Sequence, residues 1–188
     1  MTDNYVLVDY SDDLDLSSFY EMAKKHGYEN NTSKKVMIDP FRNERRMKAW
    51  VLYNNNVPVS TGITHSFDGI FPDESYRICA RTCLIPDNTN YKGLFTVKRL
   101  ICEHQNINDQ YFIPAMIDYL GIDKNMYITS NESPIASQRL VHNIYCPTME
   151  KMGLLTNMGE HFYRGHVQTF WKLNPKEFLG HLNKYRWN

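Results

Sequence analysis

Residues 76–100 read YRICARTCLIPDNTNYKGLFTVKRL, and local signals divide them into three. Ile78, Ala80, Thr82 and Leu84 alternate with Cys79, Arg81, Cys83 and Ile85, the two-residue period of a strand. Pro86 has no backbone donor for a ladder, so the strand stops there. Residues 87–91 are polar turn sequence and Gly93 permits close backbone approach. Phe95, Val97, Leu100 and Ile101 then recur at helical spacing. Strand, glycine-bearing turn and helix N-terminus in succession aim backbone N–H groups at one point, which suits a phosphate. Any α/β crossover has the same outline, so its meaning depends on the rest of the chain.

The chain has 188 residues, 42% of them hydrophobic and 13% aromatic, which predicts one folded domain over 1–188. Its core spans about 5–173, with a helical tail at 174–188. Lys plus Arg and Asp plus Glu number 21 each, so no overall field draws nucleic acid or a membrane surface. No apolar run approaches the roughly 18–20 residues of a membrane span. The start, MTDNYVLVDYSDD, is acidic and lacks a long apolar segment, so cytoplasmic residence is expected. Cys79, Cys83, Cys102 and Cys146 match no zinc spacing and read as buried thiols. His104, His142, His161 and His166 are dispersed, so no metal is assigned.

Outward from the central stretch, Tyr5–Tyr10 alternates as a first strand. Asp12 or Asp13 is then placed to cap a helix through Leu14, Leu16, Phe19, Tyr20, Met22 and Ala23, ended by Gly27. Lys48–Tyr53 and Val57–Phe67 read as a hairpin turning on asparagines 54–56, with Gly62 at a bulge or a close packing point. The strand of the central stretch makes the third of this antiparallel meander. Asp109 is placed to cap an apolar helix, Tyr111–Leu120, that Gly121 ends. A brief strand, Met126–Thr129, precedes a long helix that opens near Pro134, meets Pro147 and closes at Gly153. His161–Tyr163 and His166–Lys172 form a last hairpin around Arg164-Gly165, and Pro175–Tyr185 a tail helix. The stripe Phe162, Tyr163, Phe170 and Trp171 reads as core, with an acceptor cleft or a homodimer seam as the alternatives.

This order resembles the GCN5-related N-acetyltransferase (GNAT) superfamily over about residues 5–173: an α/β mixed sheet in which an antiparallel meander is followed by a parallel strand and a terminal hairpin. Three stretches carry the resemblance. AWVLYNNNVPVSTGITHSF is similar to the family's glycine-bearing hairpin, and ARTCLIPDNTNYKGLF stands where the family has a strand, a pyrophosphate loop and a helix. Tyr127-Ile128-Thr129-Ser130-Asn131 leads into the helix that ends Met149-Glu150-Lys151-Met152-Gly153-Leu154. The chain departs from the family pattern in its phosphate loop. Gly93 matches, but Asn90 replaces Gln or Arg and Phe95 replaces a small residue. Met149 stands where the family often has a tyrosine, with Tyr145 one turn earlier.

The resemblance implies acetyl-CoA as co-substrate, lying where the central strand splays from Met126–Ser130. Backbone groups at Cys83, Leu84 and Ile85 would pair with the pantetheine arm, and Asn90, Tyr91, Lys92, Gly93, Leu94 and Phe95 would take the pyrophosphate. Asn131 would orient ligand amides or cap the helix. Tyr145 is the implied general acid, and His65 or Glu132 the candidate base, each with a plain packing or dipole role beside it. The acceptor would be an amine on a small molecule or a protein. Two other readings stay open: a GNAT-fold binding or host-modulating protein without turnover, which Phe95 and Met149 favour, and a nucleic-acid module built on Arg42, Arg45, Arg46, Lys48 and Trp50.

Overall fold

The computed structural model describes residues 4–25, 33–67, 69–82, 102, 105–132, 136–182 and 184. The central strand is therefore seen only to Thr82. The expectations placed on Cys83, Leu84, Ile85 and Asn90–Phe95 lie outside the described residues.

The strands are β1 (Tyr5–Asp9), β2 (Lys48–Asn54), β3 (Val57–Ser66), β4 (Ser75–Thr82), β5 (Asn125–Ser130), β6 (Leu155–Tyr163) and β7 (His166–Leu173). They form one mixed sheet in the order β1-β2-β3-β4-β5-β7-β6. Every neighbouring pair is antiparallel except β4 and β5. The helices are α1 (Ser17–Lys25), α2 (Lys34–Met37), α3, α4 and α5 (Pro175–His181). α3 joins a π turn, Asn108–Phe112, to Ile113–Leu120; α4 joins Ala136–Leu140, a π turn Val141–Tyr145, and Cys146–Lys151.

Several local causes are those read from the sequence. Asn55 and Asn56 turn the β2–β3 hairpin at φ 49° and 66°, the left-handed pair such a turn needs. Gly121 (φ 103°) ends α3 and Gly153 (φ 75°) ends α4. Gly62 is the close packing point and not a bulge, because the register shift lies at Leu52/Tyr53. A Cβ on Gly62 would lie 2.7 Å and 2.9 Å from Cε1 and Cγ of Phe112, so the missing side chain is what seats α3 on the sheet.

Two expected caps are corrected. Asp15, not Asp12 or Asp13, caps α1, accepting from the Ser17 N–H at 2.9 Å and the Ser17 hydroxyl at 2.6 Å. Asp12 is drawn off by two cations, Lys34 at 2.8 Å and Arg42 at 2.7 Å. Asp109 lies within the π turn, with residues 105–107 before it already helical, and does not cap. Both π turns stand just before a proline, Pro114 or Pro147. A proline lacks an N–H and crowds the carbonyl four residues back; a turn closed over five residues accommodates it without ending the helix.

The sheet separates two apolar layers. One, under α3 and α4, gathers Tyr76, Phe112, Met116, Met126 and Trp171; the other, under α1 and α2, gathers Leu16, Phe19, Phe41 and Val51. A third cluster of Phe67, Tyr127 and Phe170, with Phe71 and Tyr163 against it, fills the second face beside β5 and β7. The expected aromatic stripe is thus divided: Phe170 and Trp171 enter opposite layers, and Phe162 is 72% exposed.

Basic residues 42–48 are spent within the chain. Arg42 engages Asp12 and Asp39, Arg45 lies 3.7 Å from Glu74, Arg46 donates to the Leu120 carbonyl, and Lys48 pairs with Asp9 at 2.9 Å. Among the described residues no helix is long and apolar enough to cross a membrane.

Glu74 ties the entry of β4 to the entry of β5. It accepts from Lys124 at 2.8 Å and from the Tyr76 hydroxyl, and these hydrogen bonds hold its carboxyl down to about 2. Lys34 and Arg42 hold Asp12 down to about 2 in the same way. A depressed carboxyl pKa stabilises the fold above the unfolded value and loses that contribution as pH falls through the folded one. Thermal melts of wild type and Glu74→Gln are therefore expected to differ most at pH 5 and to converge near pH 2. A gap independent of pH would remove this tie.

Candidate functional site

Among the described residues β4 and β5 share three register pairs: Ser75–Asn125, Tyr76–Met126 and Arg77–Tyr127. Past that point both strands run on without pairing to each other. Residues 78–82 pair with β3, and Ile128–Ser130 with β7. Each strand follows its outer neighbour, and the sheet opens into a fork whose closed end is held by Lys124 and Glu74. The facing edges of the fork offer backbone to a third extended chain.

On the α3–α4 face, Tyr145 belongs to the cluster containing Ile78 and Ile128, the first residue past the fork on each strand. It is 4% exposed, and its hydroxyl donates to Asp109 Oδ1 at 2.6 Å. The two partners come from the π turns of α4 and α3, so the wide turns meet through one hydrogen bond. Ser130, ending β5, accepts from the Trp171 indole N–H at 2.8 Å and lies 3.0 Å from His142 Nδ1. Burial pushes the neighbouring Cys146 thiol up, which keeps it protonated and inert. His142 and Trp171 also line a cleft of ≈ 350 Å³ with Asn143, Pro147, Asn157 and Glu160.

On the opposite face His65 is fully enclosed. Its ring stacks on Phe41 at 4.6 Å and its Nδ1 lies 2.8 Å from the Ser66 carbonyl. By register it stands opposite Arg77, at the closed end of the fork. Tyr145 and His65 therefore occupy opposite faces of the sheet, and the structure does not bring these two candidates together. Asn131 follows β5 half-buried and Glu132 is exposed.

Three residues at the fork escaped the sequence reading: Asp109, Arg77 and Thr129. Asp109 was obscured by its resemblance to a cap, since nothing local marks a carboxylate whose partner lies 36 positions on. For Arg77 a signal existed, a cation immediately before the alternating run of the central strand. Thr129 carried none.

No protein-family model and no curated protein matches this sequence. Solved structures do resemble the fold. An uncharacterised protein from Bacillus halodurans superposes with a TM-score of 0.54 at 14% identity, covering 97% of this chain and 93% of its own. Aminoglycoside 6'-acetyltransferase type Ii gives 0.52 at 8% identity over 89% and 95%. Aminoglycoside acetyltransferase AAC(6')-Ib, solved with coenzyme A and kanamycin, gives 0.51 at 14% identity over 94% and 98%. With the strand order, the single parallel pair and the fork, these likenesses show that the chain has the GCN5-related N-acetyltransferase fold.

Proposed function

We propose that the protein is an acyl-CoA-dependent N-acyltransferase that moves an acetyl group from acetyl-CoA to a primary amine. The observation that carries this reading is the fork: two parallel strands that cease to pair after Arg77 and Tyr127 leave facing backbone edges, on which an extended pantetheine arm would pair as an added strand. Its amides would pair with backbone groups at Cys83, Leu84 and Ile85, with Asn131 at the other wall. The pyrophosphate would rest on the N–H groups of Asn90–Phe95. Coenzyme A in the AAC(6')-Ib complex supports the same choice of co-substrate. A CoA-dependent reaction also implies a cytoplasmic setting.

In the transfer, the amine nitrogen bonds to the thioester carbonyl carbon and the carbon–sulfur bond breaks. Tyr145 would supply the proton that the departing sulfur needs, and Asp109 holds the phenol in place until then. His65 and Glu132 are the candidate routes for the proton the amine gives up. Enclosure of His65 requires a water path, whereas exposed Glu132 is open to solvent.

A second reading keeps the fold without turnover. It is favoured by Met149, which stands in the usual tyrosine position and is buried at 2% exposure as plain core. Calorimetric titration with acetyl-CoA separates the two. Binding in the micromolar range or tighter, on the order of −8 kcal/mol, favours the enzyme, and Gly93→Trp is expected to abolish that binding. Absence of heat and of thermal shift would leave the binding-protein reading standing. Unchanged affinity in Gly93→Trp would move the phosphate site elsewhere.

A further inference from the structure

Arg77 stands where β4 and β5 part, on the face away from α3 and α4. The arginines nearby are engaged: Arg42 with Asp12 and Asp39, Arg45 with Glu74, Arg46 with the Leu120 carbonyl, Arg164 with Glu44. Arg77 has no such partner among the described residues. Its guanidinium carbon lies 5.7 Å from the Tyr163 ring centroid, and its Nε is buried with no hydrogen-bond partner. Thr129 lies two residues past Tyr127 on β5, on the same face by alternation, and its Oγ1 is also buried and unpartnered. Buried donors left unmade are costly, and two beside one gap mark a place where a ligand completes the set.

The surroundings give that ligand its size and charge. Arg164, at the tip of the β6–β7 hairpin, reaches 3.3 Å from Glu44 and lies 4.4 Å over the Phe41 ring. The hairpin thereby bridges the second face to the segment after α2. Arg77 sits between the feet of this bridge, with His65 under Phe41 on one side and Tyr163 beside Arg164 on the other. Phe71 stacked on Tyr127 at 4.5 Å supplies aromatic walls. The position thus joins a cation with no acidic partner among the described residues, a hydroxyl and rings, beside the backbone edges proposed for the thioester arm.

We propose that Arg77 and Thr129 read a carboxylate on the acceptor, so that the amine acylated here belongs to an amino acid or a close aminocarboxylate. The inference rests on the acyl-transfer reading for its amine half and on Arg77 for its carboxylate half. A guanidinium fork matches a carboxylate bidentately, and a polycationic acceptor such as an aminoglycoside meets the same group as repulsion. The carboxylate takes no part in the chemistry and stays ionised. One N–C bond forms, one C–S bond breaks, and one proton passes from nitrogen to sulfur.

The test uses the full chain in two arms. Without acetyl-CoA, the protein is titrated with N-acetyl-L-phenylalanine and with N-acetylphenethylamine, which lacks only the carboxylate. The acid is expected to bind about 100-fold more tightly, as for a buried charge-assisted pair. Arg77→Gln should erase that preference and Thr129→Val weaken it. Equal binding, no binding of either compound, or a preference that survives Arg77→Gln overturns the proposal. Arg77→Gln removes a guanidinium that has no hydrogen-bond partner among the described residues, so its melting temperature should match or exceed wild type; a clear drop makes Arg77 structural and also overturns it. With acetyl-CoA present, thiol release from L-phenylalanine should exceed that from phenethylamine by a similar factor in kcat/KM, with Arg77→Gln raising the KM for the amino acid and leaving acetyl-CoA affinity unchanged. Faster turnover of phenethylamine or kanamycin overturns the carboxylate assignment. A protein that binds the acid selectively but takes no acetyl-CoA sustains that assignment while the acyl-transfer reading fails.

Discussion

Gly62→Ala is expected to destabilise the fold by about 3 kcal/mol, and Gly62→Leu to prevent folding. One methyl group has this effect because of what faces it. The Cβ would fall against the ring of Phe112, which is 0% exposed and walled in by the α3 layer. Neither side can yield cheaply: Gly62 is locked in register with Trp50 and Ala80 at the centre of the sheet, and Phe112 lies in the π turn that sets the course of α3. A double-mutant cycle isolates the contact. Phe112→Leu alone should cost stability by loss of packing, and combined with Gly62→Ala it should recover much of the loss, with a coupling energy of about 1–3 kcal/mol. Additive effects in urea unfolding would mean that the two residues do not constrain each other. The position of α3 over the fork would then need another cause.

Tyr145→Phe is expected to lower kcat by on the order of 100-fold or more while leaving acetyl-CoA affinity within about twofold, the pattern for loss of an acid that acts only in the transition state. The variant keeps the ring and its place in the core under α3 and α4, so the phenol proton is the main thing removed. It also deprives the Asp109 carboxylate of a donor, at about 1–3 kcal/mol of stability. Asp109→Asn separates the effects. Loss of orientation alone should reduce turnover less than Tyr145→Phe does. An unaltered rate in Tyr145→Phe would remove this residue from the reaction and return attention to the binding-protein reading.

The sequence made most of the sheet legible because its signals are local. Alternation marked the strands, and Asn55-Asn56, Gly121, Gly153 and Arg164-Gly165 marked the turns and helix ends where the chain takes positive φ. The parallel pairing of β4 and β5 came with the family resemblance, but its three-residue extent did not, since that depends on how each strand follows its outer neighbour. The site was less legible for the same reason. His65 has the composition of a base, yet its burial under Phe41 is a property of a segment more than twenty residues away. Asp12 and Asp109 both looked like caps, and each was claimed by partners distant in sequence: Lys34 and Arg42 in one case, Tyr145 in the other. A cap is recognisable in a four-residue window; a competing cation or phenol from another element is not.

The π turns change how positions in the two helices are to be counted. An α-helix advances about 100° per residue, so one surplus residue rotates everything after it by roughly that angle. Side chains from Cys146 onward in α4 point a quarter-turn or so away from where unbroken winding from Ala136 would send them. Aligning this helix to a regular one from its closing glycine backwards, residue for residue, is therefore sound only as far as Cys146. Upstream of it the correspondence slips by one, so Tyr145 cannot be judged absent from an active-site wall by its distance in sequence from Gly153.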